Sequence, residues 1–288
     1  MIAVGLALLS ALSFATSTVV QHRAVTSVEA PPGRRRALRL VLGVLRHPSW
    51  LAGQAAAAIG VVLHAYALRN GPVILVQPLL SSGLVFSLVL GALVGRGHPD
   101  RRLPDEPEWL AAGVVVVGLT VFLLSARPSA GRATGRPLVL LAVTVGALLL
   151  SAAAWGWSRR PRAPHRALVL GVAAGTGFGV TGLLLKDVVA HPLTTWWHSP
   201  SLAALIVVGA VAFPTAQLAY RAGTLIESLP SMTVLEPVVA VVLATVAYGE
   251  TLAGGWGARA GQLAGLVLLT VGVVRLARLQ TGPAPAHL

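Results

Sequence analysis

Cysteine is absent from this 288-residue chain, which excludes a disulfide, a thiol nucleophile and a thiolate metal site. Charge is scarce as well. Asp, Glu, Lys and Arg make up 11% of the residues against 55% hydrophobic, which is not the profile of a soluble domain. Lysine is nearly missing and arginine takes its place; with the richness in Ala, Val and Gly this points to a high-GC bacterial source. Reaction motifs are missing too. There is no zinc-binding spacing, nucleophile elbow or phosphate loop, so neither an enzyme nor a cofactor is expected. Gly177-Phe178-Gly179-Val180-Thr181-Gly182 fits a dinucleotide fingerprint by letter, but no strand precedes it and no acid follows at the right distance. Gly171, Gly175 and Gly179 instead form a small-residue ladder suited to close helix packing in a membrane.

The apolar residues are gathered into runs of about 20, long enough to cross a bilayer as helices. Nine are read: 2–20, 49–68, 72–95, 108–125, 138–157, 167–186, 201–220, 224–248 and 256–274. Trp50, Trp109, Trp155, Trp157, Trp196, Trp197 and Trp256 all fall at or beside the ends of these runs, as an interfacial belt requires. The first run lacks a basic leader and is too long for a signal-peptide core, so it reads as a retained helix. The expected class is an all-α integral membrane protein whose main partner is the lipid bilayer.

The net charge of +13 does not mean nucleic acid, because the arginines sit in loops between spans. If the first loop is cytoplasmic, sixteen cations lie inside, and Arg69, Arg127, Arg132, Arg136, Lys186 and Arg259 lie outside. That sets the amino terminus outside and the carboxyl terminus in the cytoplasm of a cell with an inner membrane. The loop at 127–136 is basic on the wrong side. Residues 21–48 read as a topology-setting basic loop or an amphipathic helix on anionic lipid, 97–107 as a solvated turn, and 281–288 as a frayed tail.

Two stretches 152 positions apart begin a span in the same way. Ala67-Leu68-Arg69-Asn70-Gly71 with Pro78 matches Ala219-Tyr220-Arg221-Ala222-Gly223 with Pro230. Gly5 to Val25 aligns loosely with Val169 to Val189. The division is a first four-helix repeat at 1–126, a linking helix with flanking loops at 127–165, and a second four-helix repeat at 166–288. Five crossings separate equivalent helices, so the repeats are inverted, a pattern usual in secondary transporters. Arg69 and Arg221 then cap equivalent tight turns on opposite faces.

Val234-Leu235-Glu236-Pro237-Val238-Val239-Ala240, running on to Gly249-Glu250-Thr251-Leu252, resembles the EamA-type drug/metabolite transporter superfamily, where an apolar helix with a central proline commonly ends in Gly-Glu. Gly71-Pro72-Val73 and Val76-Gln77-Pro78-Leu79 are similar to the matching helix of the first repeat, and with Gln21-His22-Arg23-Ala24 also to the NIPA-related branch associated with magnesium. The first repeat departs from the pattern, ending Gly95-Arg96-Gly97-His98 without the glutamate. What the resemblance implies is a transporter fold with inverted repeats, not a substrate.

Ionisable groups inside spans are the candidates for function, since a charge at mid-membrane costs about 2.5–3.5 kcal/mol on insertion scales. Glu236 lies near the middle of span eight, where Pro237 cannot hydrogen-bond the Thr233 carbonyl. It is either a proton- or cation-coupling carboxylate or a protonated group bonded to a neighbouring helix at a break. Glu227 reads as a pair for Arg221 or a substrate ligand, and Glu250 as a helix-end anchor or a gate. Gln77 suits a cavity wall or a helix contact, and His64 is a titrating group or one satisfied by a neighbour. Ser10, Ser13 and Ser17 recur on one face of span one, lining a cavity or packing helices. Pro78, Pro230 and Pro237 punctuate the paired helices. Lys186-Asp187 reads as an interfacial ion pair. The leading expectation is a secondary transporter of a small solute with a proton or cation. The alternatives are a magnesium or other divalent-cation carrier, weakened by the few acids in the spans, and a non-transporting scaffold or sensor subunit.

Overall fold

Proline marks where several helices begin, at positions where its missing N–H leaves no intrahelical bond unmade. Pro48 opens α2 (Pro48–Asn70), Pro137 opens α6 (Pro137–Ser158) and Pro200 opens α8 (Pro200–Ala222). The computed structural model describes residues 2–27, 47–95, 104–129, 131–160, 163–192, 194–222 and 225–281, without the side chains at 22–27, 94–95, 225–230 and 280–281. The other helices among them are α1 (Ile2–Ser27), α3 (Val73–Leu80), α4 (Gly83–Gly95), α5 (Glu106–Ala126), α7 (Arg166–Ala190), α9 (Leu225–Tyr248) and α10 (Trp256–Thr281). A capping box starts α5, with Asp105 N donating to Glu108 Oε2 at 2.9 Å, and two glutamates in its first turn complement the helix dipole.

Nine helical stretches among the described residues are long and apolar enough to cross a membrane, α3 and α4 together making one of them. The chain is an all-α, multi-pass membrane protein. Its outer surface agrees with that: Leu138, Leu124 and Leu263 are more than 60% exposed. In water each would forgo about 1.5–3 kcal/mol of burial energy, whereas lipid tails receive them without loss.

The interior is organised around α7, whose apolar stretch is 61% buried against 22% for α2. It packs against α2, α3, α6, α8 and α9, while α1 lies along α2 and α5 along α10. Small residues permit the close approaches. A Cβ at Gly118 would come 2.3 Å from the Leu269 nitrogen, and one at Gly265 would come 2.5 Å from the Phe122 nitrogen, so α5 and α10 meet backbone to backbone. The glycines of α7 do the same against α9: a Cβ at Gly175 would lie 2.9 Å from the Met232 carbonyl oxygen, and one at Gly179 2.8 Å from that of Glu236.

The third span differs from expectation in being broken. Beyond Pro78, α3 ends, and Ser81 N and Ser82 N donate to the carbonyls three residues back at 3.1 Å each, with Ser82 Oγ also donating to Leu79 O at 2.7 Å. The chain restarts at Gly83. Span eight, where a break at Pro237 was expected, instead runs as one helix through Pro230 and Pro237. Sequence supplies the reason. At the offset of 152, Ser81-Ser82-Gly83 is matched by Thr233-Val234-Leu235, which offers no glycine and no second hydroxyl to compete for backbone carbonyls. Most of the basic loop at 21–48, the tail at 282–288 and the first repeat's Arg96-Gly97-His98 lie outside the described residues, as do the side chains of Glu227 and Pro230.

Candidate functional site

One end of the bundle is knitted together by a buried ion pair. Helix α3 begins at Pro72, whose side chain offers no cap, so its first amide groups need an acceptor from elsewhere. Glu250 provides it from 177 residues away in sequence, accepting from Val73 N at 2.8 Å on Oε1 and from Ile74 N at 2.9 Å on Oε2. The carboxylate thus straddles the positive end of a helix, where negative charge is favoured. Lys186 Nζ completes the arrangement by pairing with Glu250 Oε1. The ammonium also lies 4.8 Å from the centroid of the Tyr248 ring, whose hydroxyl donates to Leu183 O at 2.5 Å. Lys186 is 7% exposed and Glu250 1%, so both charges are withdrawn from solvent and each depends on the other.

Local geometry explains why Gly and Glu adjoin here. Helix α9 ends at Tyr248, and Gly249 takes φ +66°, a left-handed conformation glycine adopts without steric penalty. That turn carries Glu250 back to the start of α3. The loop at 127–136 is laced to the same place: Arg132 N donates to Tyr248 O at 2.8 Å, Arg136 N to Ala247 O at 2.9 Å and Ser129 N to Thr251 O at 2.9 Å. Gly131 is required by closeness, since a Cβ there would fall 2.3 Å from Tyr248 O.

Lys186 and Asp187 do not form the expected interfacial pair. On a helix, successive side chains diverge by about 100°. Lys186 turns to Glu250, while Asp187 accepts from Gly135 N at 2.8 Å and Ser201 Oγ at 2.7 Å, holding the loop and the start of α8. Asp187 is 6% exposed and also buried.

A second group of polar side chains lies within the spans. Gln77 is 2% exposed, and among the described residues neither its amide nitrogen nor its oxygen has a hydrogen-bond partner. The amide is pressed against Gly182 of α7, where any Cβ would collide with it. One turn along the same helix, Gly179 abuts the backbone of Glu236. The Glu236 side chain is half-buried and has no hydrogen bond or ion pair among the described residues. His64, half-buried in α2, has a buried Nε2 with no hydrogen-bond partner among the described residues. Beside Pro237, Ser81 and Thr233 line a cavity of about 10 Å³, room for one water at most. Among the described residues no three His, Asp or Glu side chains are grouped so as to hold a metal ion.

The remaining candidates are placed as follows. Ser10 Oγ donates to Gly60 O at 2.8 Å and joins α1 to α2. Ser17, 5% exposed, accepts from Gln21 Nε2 at 2.7 Å, and Gln21 also donates to Gln54 Oε1 at 2.6 Å across the same seam. Ser13 Oγ donates within its own helix to Leu9 O. Arg69 is exposed at the end of α2 and Arg221 at the end of α8.

Sequence reasoning missed the Lys186–Glu250 pairing and the anchoring by Asp187. A usable signal was present: a lone lysine at the end of an apolar run must find a carboxylate, and few exist at that end of the bundle.

The chain is 31% identical over 295 residues to an uncharacterized protein of Corynebacterium glutamicum, an alignment covering 99% of this chain and 97% of the relative. No family model matches the chain, and no solved structure does.

Proposed function

We propose that this chain, which belongs to one family with the Corynebacterium glutamicum protein, is a secondary transporter of a small solute, coupled to a proton or cation. The observation that carries this reading is the set of polar groups inside the spans that have no hydrogen-bond partner among the described residues: both ends of the Gln77 amide beside Gly182, and the carboxylate of Glu236, a residue whose backbone packs against Gly179 one turn along α7. A protein that only needed to be stable would fill such positions with apolar side chains, because a buried amide without hydrogen bonds costs about 1–3 kcal/mol. A bound solute or coupling ion supplies the missing partners.

In this account the bundle is two inverted four-helix repeats joined by α6, and the resemblance to EamA-type transporters supports that division. Ser81 and Thr233, equivalent at the 152-residue offset, meet at one small cavity, as residues near a pseudo-twofold axis do. The amino terminus lies outside and the carboxyl terminus in the cytoplasm of the bacterial inner membrane, so the Lys186–Glu250 pair closes the outer end. The water-sized cavity beside Pro237 fits a closed state in a cycle of alternating access. The offset places His98 opposite Glu250, so the cytoplasmic end lacks an equivalent acid.

The test is thermal stabilisation of the purified protein by a panel of metabolites, cationic drugs and divalent ions, with Glu236→Gln alongside. A ligand that binds the native state at 100 times its Kd stabilises it by about 2.7 kcal/mol. A stabilising compound whose effect is lost in Glu236→Gln supports the assignment. Stabilisation by no compound, with the protein folded, contradicts it and favours a scaffold or sensor subunit.

A further inference from the structure

The helix that links the two halves carries a feature that transport does not use. Beside the start of α6 lies an open cavity of about 530 Å³, bounded by the loop at 131–136, the end of α7 and the start of α8. Its rim is cationic. Arg132 and Arg136 both line it, both are exposed, and among the described residues neither guanidinium has a hydrogen bond or ion pair. His191 adjoins them, its Nδ1 lying 2.8 Å from Asp187 O. Two helices, α6 at Pro137 and α8 at Pro200, begin on the same rim and add the positive ends of their dipoles. The opposing charge is Asp187, whose two oxygens are occupied by Gly135 N and Ser201 Oγ.

Below the rim the wall is apolar, with Leu140, Leu141, Leu184 and Ala204 facing the cavity. The apolar surface then continues outward along α6: Leu138, Leu141, Val145 and Leu149 are all exposed at helical spacing, between 44% and 81%. Cations above an aliphatic stripe, at the level where a helix emerges from the membrane, match a ligand with an anionic head and a hydrocarbon tail.

We propose that this cavity binds an anionic phospholipid, the phosphate resting on Arg132 and Arg136 and one acyl chain lying along α6. This accounts for the loop at 127–136 being basic against the charge bias of its side of the membrane: its cations serve a lipid headgroup instead of topology. The inference is independent of the transported solute and of Glu236.

The test uses native mass spectrometry and thermal unfolding of the delipidated full chain. The probes are dioleoyl-phosphatidylglycerol, dioleoyl-phosphatidylcholine, and the soluble anions inorganic phosphate and glycerol 3-phosphate. The expected result is a retained, stabilising phosphatidylglycerol adduct that phosphatidylcholine does not reproduce. In Arg132→Gln/Arg136→Gln the affinity falls about tenfold or more, whereas Arg259→Gln, at the same end but away from the cavity, retains it. Neither guanidinium has a partner among the described residues, and the backbone bonds at 132 and 136 survive the substitution, so the double variant unfolds at the wild-type temperature in phosphatidylcholine. Equal stabilisation by the two lipids, an unchanged double variant, or equal loss in Arg259→Gln overturns the proposal. Stabilisation by the soluble anions to the same extent assigns the rim to a soluble anion and overturns the lipid.

Discussion

Removing Glu250 and removing Lys186 are expected to damage the protein unequally, and the structure fixes the order. With Lys186→Met the carboxylate of Glu250 keeps its bonds to the Val73 and Ile74 amides at 2.8 and 2.9 Å and its place at the start of α3. It loses only the cation. With Glu250→Leu, three groups lose their partner at once: two amides at a buried helix start, and an ammonium that is 7% exposed. Truncating one side of a buried pair costs about 3–5 kcal/mol when the other charge is left uncompensated, so Glu250→Leu belongs at or above the top of that range. Lys186→Met belongs near or below its bottom, because the helix dipole and amides still stabilise the remaining charge. The double variant removes both charges and should be less destabilised than the sum of the singles by about 2 kcal/mol, as expected for residues in direct contact. The assay is a detergent-to-SDS unfolding titration followed by circular dichroism on all four proteins. Additivity within about 0.5 kcal/mol, or Lys186→Met proving the worse single variant, would refute the reasoning.

Other expectations are simpler. Gly249→Ala should cost about 1–2 kcal/mol in the same titration, because only the left-handed backbone is disturbed and no atom lies near the new methyl; Gly249→Asn should recover most of that, and equal loss in both would refute a conformational origin. Gln77→Leu should raise stability by about 1 kcal/mol, since it removes a buried amide that has no partner among the described residues, and on the proposed transporter reading it should abolish transport. A variant that transports normally would remove Gln77 from that path.

Much of the architecture was legible because the bilayer simplifies the code. Runs of about 20 apolar residues with tryptophans at their ends placed the nine spans found among the described residues, most of their boundaries within a few positions. The glycine ladder of span six was also readable, since three glycines four apart on a helix create one flat face; Gly175 and Gly179 do pack against α9. The break in span three was not readable from Pro78 alone, because Pro230 and Pro237 sit in an unbroken helix. What decides is the Ser-Ser-Gly that follows, where the Ser82 hydroxyl bonds the Leu79 carbonyl and the glycine has no side chain, so that three-residue bonds replace four-residue ones. The pairing of Lys186 with Glu250 was beyond local reading. It spans 64 positions and depends on a turn at Gly249 that redirects the chain across the bundle.

The most direct test of the transport account is the reactivity of single cysteines at positions 77 and 236, in a chain that has no native thiol to confuse the signal. Folded protein in proteoliposomes would be treated with a water-soluble methanethiosulfonate, with and without a stabilising solute. The account predicts that both positions react over minutes as the cycle admits water to the middle of the bundle, and that solute slows the reaction. Thiols at 77 and 236 that stay unreactive until the protein is unfolded in SDS would mean a dry interior, and would contradict a solute path through the bundle.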